Sequence, residues 1–295
     1  EKILDENPDA TTWTGREGPY GMVSWWPTIL HLNNTAKHLD NPDVRWAINR
    51  YIDRDKLIDF AFDGNGEESV WPFPPFKGLQ ENLDNLADLE AEYQPGLYDP
   101  ADADDRLMAA GYEKNADGIW ADADGDTIKC HISSLPHFSD SGPVIVEMLK
   151  QGGIEASYSE PPDVGSILPT GDYICGLWGL AGAMSDSLYR SLLAFTTDDS
   201  GNWFQYSNPE FDAIVEELAG TADKTKALEL EKAAMAIWLE DLPAVNLVQF
   251  YNRTANNGHY WSNWPSTVDD PYMNGIHMHT GFPYTLMQLE ATDAP

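Results

Sequence analysis

The chain reads as an α/β protein built on a parallel-sheet core. Three observations predict this. First, TIKCHISS (127–134) alternates like a strand, residues 140–151 are helical and end at Gly152-Gly153, and IEASYS (154–159) returns to strand character. Strand–helix–strand order predicts a right-handed parallel crossover. Second, DYICGLWG (172–179) supplies a third strand, and helices with strong start signals flank this unit on both sides. Third, an apolar fraction of 42% with 11 Trp in 295 residues is enough for a large core, as one big domain or two lobes, and excludes global disorder.

The elements follow in order. Glu1 to Asp9 read as the tail of a helix already under way, which suggests the C-terminal part of a longer protein. Segment 20–34 (YGMVSWWPTILHLNN) is aromatic and β-branched, an extended strand interrupted at Pro27. Asn41 caps a helix with Pro42 at its first position, because the Asn accepts a backbone N–H and the Pro loses no bond there. Val44, Ile48, Tyr51 and Ile52 fall at helical spacing, and Asp53 caps a second helix that stops near Gly64.

Residues 64–98 are rich in Gly, Pro and Asn, and WPFPPF (71–76) reads as an irregular segment wrapped over a surface. Asp99-Pro100 starts a helix ended by Gly111. Asn208-Pro209 starts another, with Phe211, Ile214, Val215 and Leu218 on one face. Asp223 caps 224–241, and 244–252 is a last strand. No repeat of solenoid length is present.

Lys+Arg total 17 against 49 Asp+Glu, a formal net charge of −32. Nucleic acid and anionic membrane surfaces both need a positive face, so neither is an expected partner. Such acidity fits a marine or salt-loving source, where the surface charge is screened and keeps the protein in solution. No apolar run reaches the 18 residues of a transmembrane helix, and the first residues are not a signal peptide. Cys130 and Cys175 fall in two predicted strands; a bridge and two buried thiols both remain open, with thiols the favoured reading.

Four stretches carry a family resemblance. They are NPDVRWAINRYIDRDKLI, YDPADADDRLMAAGY followed by DGIW, YSNPEFDAIVEEL, and EDLPAVNLVQFYN. Together they span most of residues 40–252 and resemble, in the family's order, the C-terminal half of a family 5 extracellular solute-binding protein of ABC transporters. The resemblance implies a periplasmic binding protein-like (type II) fold. Residues 40–245 would form lobe II, the α/β ligand-clamping domain. Residues 1–39 would be a segment of lobe I with the first crossing strand, and 246–295 the second crossing strand and C-terminal segment of lobe I. The implied function is an extracytoplasmic solute-binding subunit of an ABC importer, not an enzyme, with no cofactor. It would be periplasmic or extracellular, hold a small solute in an inter-lobe cleft and dock a membrane permease. The missing N-terminal half, with its signal peptide, would complete it.

Peptide-binding members resemble one another in a Gly-Trp followed three residues later by an Asp for the peptide's amine. Here Leu177-Trp178-Gly179 is followed by Ala181 at that place, and Asp186 lies farther along as a possible substitute. The aromatic inventory points to a sugar instead. Trp25, Trp26, Trp178, Trp203, Trp261 and Trp264 come from separate segments, and flat indoles suit the C–H faces of pyranose rings. Asn33, Asn202 and Asp186, with Asn34, Asn263 and Gln205, offer partners for hydroxyls. GNWFQYSNPEFD and YWSNWPSTVDDPY are also similar to oligosaccharide-carrying members of the family.

The candidate ligand-binding set is therefore Trp178, Trp203, Trp261, Trp264, Trp25, Asn33, Asp186 and Asn202, and the expected solute is an oligosaccharide. A lone Trp is more often core than platform, and Trp46, Trp120 and Trp238 are assigned to core or surface. An oligopeptide is the alternative ligand, and a glycosidase the alternative class. No GxSxG, HExxH, Walker or GxGxxG pattern occurs. His277 and His279 are too few for a metal site, and Asp122–Asp126 reads as an exposed acidic turn rather than a calcium loop.

Overall fold

In the computed structural model, which describes residues 2–18, 20–24, 26–180, 187–266 and 282–294 without the side chains of Lys77, Phe282 and Tyr284, the chain divides into two units. The first comprises Glu1–Ser24, Phe76–Gly78 and Phe250–Pro295; the second comprises Trp25–Pro75 and Leu79–Gln249.

The second unit starts its helices where short acceptor side chains precede the first turn. Asn41 accepts from the Asp43 amide ahead of α1 (Pro42–Tyr51), and Asp53 from the Lys56 amide ahead of α2 (Arg54–Phe62). Asp99, Asn208 and Asp223 do the same for the helices Pro100–Ala109, Pro209–Ala219 and Lys224–Asp241. Each such cap is worth about 1 kcal/mol.

The main sheet of this unit is built from β1 (Thr28–Leu32), β2 (Gly66–Glu68), β3 (Lys129–Ser134), β4 (Glu155–Ser159), β5 (Cys175–Trp178) and β6 (Ala244–Asn252), the last of which runs on into the first unit after Gln249. The main path runs β6–β1–β5–β3–β4, and β2 also pairs with β6. Strands β3, β4 and β5 are parallel, whereas β1 is antiparallel to both β5 and β6. The crossover between β3 and β4 is the helix Ser141–Gly152, which packs on β4. All five residues of β1 are buried, as expected for a strand flanked on both sides.

Three features depart from the sequence expectations. Within 64–98 lies a 14-residue helix, α3 (Gln80–Tyr93). It has no side-chain N-cap and buries only Leu86 and Leu89, so its pattern is faint. Polar contacts to the Lys224–Asp241 helix hold it: Asn82 Nδ2 donates to Glu231 Oε2 at 2.6 Å and Asn85 Nδ2 to the Leu228 carbonyl at 2.9 Å. WPFPPF forms no regular element, but Trp71, Phe73 and Phe76 are buried rather than laid on a surface. The cysteines favour the other alternative too. Cys130 and Cys175 form a disulfide, with both side chains buried, that ties β3 to β5.

Three arginines on α1 and α2 are almost fully buried, at 3%, 5% and 3% exposure for Arg45, Arg50 and Arg54. Arg45 donates to the carbonyls of Leu39 (2.7 Å), Asp241 (2.9 Å) and Leu242 (3.1 Å). Arg50 donates to the Tyr93 carbonyl at 2.8 Å and to the carbonyl of Gln94, and pairs with Asp102 at 2.9 Å. Arg54 donates to the Asn246 carbonyl (2.6 and 3.0 Å), the Gly96 carbonyl (3.3 Å) and Asn49 Oδ1 (2.6 Å). Burial pulls the guanidiniums of Arg45 and Arg54 down to about 10, so both stay charged at neutral pH.

In the first unit, Met22–Val23 pairs antiparallel with Tyr251–Asn252, Ala10–Thr11 with Asn256–Asn257, and Trp261–Ser262 with Glu290–Ala291.

Two stability outcomes follow from these contacts. Arg54→Met strands three acceptors and is expected to lower unfolding free energy by about 3 kcal/mol or more; a urea midpoint matching the parent would refute it. Replacing Cys130 and Cys175 together by Ala should cost about 2–4 kcal/mol, and thiol titration of the unfolded, unreduced parent should find no free thiol.

Candidate functional site

The parallel strands end together, because Ser134 of β3 lies beside Leu177 of β5, and Trp178 of β5 lies opposite Ile29 of β1. In open α/β sheets, ligands gather at the carboxyl ends of the strands. Here those ends carry an aromatic row. Trp178 closes β5, and Leu135–Phe138 follow β3. Trp26 lies two residues before β1, and Trp203 lies in the segment between Leu188–Leu193 and Pro209–Ala219.

The rings meet edge to face. The Trp178 and Trp203 centroids are 5.7 Å apart at 71°, and Trp26 and Trp178 are 6.3 Å apart at 82°. His137 stacks against Trp26 at 6.4 Å, and Phe138 lies 6.0 Å from it. All three indoles are half-buried. Trp178 and Trp203 rest on Val164, Leu168 and Tyr173, which fix their inner edges and leave part of each ring open. Such edge-to-face pairs are worth about 0.5–1.5 kcal/mol beyond their buried area.

Backbone groups fix this arrangement. The Trp203 indole N–H donates to the Ser200 carbonyl at 3.1 Å, and the Tyr173 hydroxyl donates to the Trp203 carbonyl at 2.5 Å. Burial pushes the Tyr173 phenol up, so it stays a donor. Gly179 lets the Trp26 ring lie on the chain, since any Cβ there would meet that ring at 2.0 Å.

His31 of β1 sits behind the row. Its Nε2 is 3.1 Å from the Gly179 carbonyl, and its ring stacks on Phe204 at 4.3 Å and 11°. A carbonyl only accepts, so Nε2 carries the proton. Burial pushes the imidazole down to about 3, so it is neutral at ordinary pH.

The sequence candidates fall in different places. Trp178 and Trp203 come together in the row. Asn33 is buried, with its amide donating to the carbonyls of Gly171 (2.9 Å) and Tyr173 (2.8 Å) and its oxygen accepting from Thr35. Asn202 is buried too, donating to the carbonyls of Thr196 (3.0 Å) and Tyr206 (2.7 Å). Both amides therefore brace the loops that carry Tyr173 and Trp203. Trp261 and Trp264 belong to the first unit, where Trp261 is half-exposed and Trp264 donates to the carbonyls of Asn257 and Trp261. Trp25 and Asp186 lie outside the described residues, as do Ala181, His277 and His279.

His31, Phe204 and His137 escaped the sequence reading. A single His in the apolar run Thr28–Leu32 was the available signal for the first.

A cleft of about 700 Å³ is lined by Arg54, Glu68, Glu90 and Tyr98, among others, and contains none of the three indoles. It is open and charged, and Arg54 at its base is already bonded to carbonyls. Among the described residues, no cluster of three or more His, Cys, Asp or Glu suits a metal ion, and no helix is long and apolar enough to cross a membrane. Asp122 accepts from the amides of Asp124 and Asp126 and pairs with Lys37 at 3.0 Å.

The sequence profile described as bacterial extracellular solute-binding proteins, family 5 middle, matches residues 3–202. The chain is 27% identical over 236 residues to the glutathione-binding protein GsiB of Pectobacterium atrosepticum, covering 72% of this chain and 41% of that protein. It is 26% identical over 246 residues to the oligopeptide-binding protein OppA of Bacillus subtilis, covering 80% and 41%. The chain thus spans about two-fifths of the length of these curated relatives. Its fold matches the mannohexaose-bound periplasmic oligopeptide-binding protein of Thermotoga maritima with a TM-score of 0.83 at 22% identity, covering 99% of this chain and 57% of that one.

The buried imidazole carries a pH consequence. In the unfolded chain His31 takes up its proton near 6.5, but in the folded chain only near 3. Its contribution to stability is therefore complete above pH 6.5 and is lost as pH falls toward 3, by at most about 1.4 kcal/mol per pH unit. The stability difference between the parent and His31→Phe should shrink across that window; a difference independent of pH would refute it.

Proposed function

We propose, because this chain belongs to the bacterial extracellular solute-binding proteins of family 5, that it forms the ligand-clamping part of an ABC-importer binding protein whose solute is an oligosaccharide. Residues 40–245 would be the ligand-clamping lobe, and residues 1–39 and 246–295 segments of the other lobe. The observation that carries this reading is the row of three half-buried indoles at the carboxyl ends of the parallel strands. Indole faces exclude water over sugar C–H surfaces and lose little side-chain entropy in doing so.

Three further facts support it. Among the described residues, the neighbours that fix Trp178 and Trp203 are rings, aliphatic groups and backbone carbonyls, and the imidazole behind them is neutral. Such a wall suits an uncharged ligand better than the charged ends of a peptide. The Thermotoga maritima protein with the same fold is described with mannohexaose bound. The buried Cys130–Cys175 disulfide suits an oxidising compartment outside the cytoplasm. A membrane permease of the importer is the proposed protein partner.

The test is calorimetry of the full-length protein against manno-, cello- and xylo-oligosaccharides and against short peptides. Binding of at least one sugar series is expected, weakened about tenfold or more by Trp178→Ala. Peptide binding that Asp186→Ala abolishes, with every sugar silent, would overturn the carbohydrate assignment.

A further inference from the structure

We infer that His31 is the positioning residue that sets the angle between Trp178 and Trp203, by bonding the residue after one indole and stacking on the residue after the other. This rests on reading the two indoles as the ligand platform. Nε2 holds the carbonyl of Gly179, which follows Trp178, at 3.1 Å. The ring face lies on Phe204, which follows Trp203, at 4.3 Å, and is 6.3 Å from the Trp203 ring itself. One side chain on a fully buried strand thereby touches both segments that carry the pair.

The surroundings fit that task better than plain core filling. His31 lies opposite Gly176, where a Cβ would meet Leu168 at 2.5 Å and the His31 Cβ at 3.5 Å, so the imidazole is seated close against β5. Its Nδ1 is buried without a hydrogen-bond partner among the described residues. Leu or Phe would fill this space without a buried Nδ1, but would leave the Gly179 carbonyl without its donor. The imidazole combines a flat face for Phe204 with an N–H for Gly179, and neither Leu nor Phe offers both. A platform holds its geometry only when the residues behind it lock its rotamers.

The experiment uses circular dichroism of the whole chain. Two indoles this close and this skewed couple excitonically, and Trp178→Phe and Trp203→Phe each define the couplet by difference. His31→Phe keeps a ring but loses the N–H; His31→Gln keeps a donor but loses the stack. Each should reduce the couplet by about half or more and weaken mannohexaose binding about tenfold, with the urea midpoint showing a folded protein. If the His31 variants do not fold, Phe204→Leu removes the stack from its other side and reads the same couplet.

An intact couplet in folded His31 variants, or in Phe204→Leu where those do not fold, overturns the inference. Failure of mannohexaose and every other sugar to bind the parent overturns the carbohydrate reading instead, and the couplet still decides the role of His31.

Discussion

Backbone carbonyls at helix ends have no intrahelical partner, and two of the three buried guanidiniums resolve that constraint here. Arg45 bonds the last carbonyls of the Lys224–Asp241 helix, and Arg50 bonds those that end α3. Arg54 joins the chain after α3 to the Asn246 carbonyl of β6. Helix C-termini concentrate partial negative charge, so the placement is favourable twice, by hydrogen bonding and by the helix dipole. The planar fork of arginine reaches several carbonyls at once, which a lysine ammonium does less well. α1 and α2 thus fasten two helices and the central sheet that supports the site.

The same division of labour governs the surface. Several lysines, by contrast, pair with carboxylates at the surface, such as Lys37 with Asp122, Lys56 with Asp53 and Lys232 with Asp88. Such pairs contribute little singly and are screened by salt. In a chain of net charge −32, Arg45, Arg50 and Arg54 make their bonds where water does not reach.

The aromatic row depends on this framework through β1. That strand lies between β5 and β6, and its one imidazole reaches the segments bearing Trp178 and Trp203. The disulfide fastens β5 to β3 three residues before Trp178. Asn33 and Asn202 then brace the connecting loops by saturating their own amides on carbonyls. A rigid wall of rings results, with polar groups turned inward to hold it.

Local chemistry was enough to read the helix starts at Asn41, Asp53, Asp99, Asn208 and Asp223, the β3–helix–β4 crossover and the family, because caps, periodicity and motif order act over a few residues. α3 stayed hidden because its partners, Leu228 and Glu231, lie more than a hundred residues away in the sequence. The pairing of Cys130 with Cys175, the inward turn of Asn33 and Asn202, and the contact of Trp178 with Trp203 were likewise decided only in three dimensions. Residue type fixes what a side chain is able to bond. Which group it meets depends on strands brought together from distant parts of the chain, and that distance leaves no local trace.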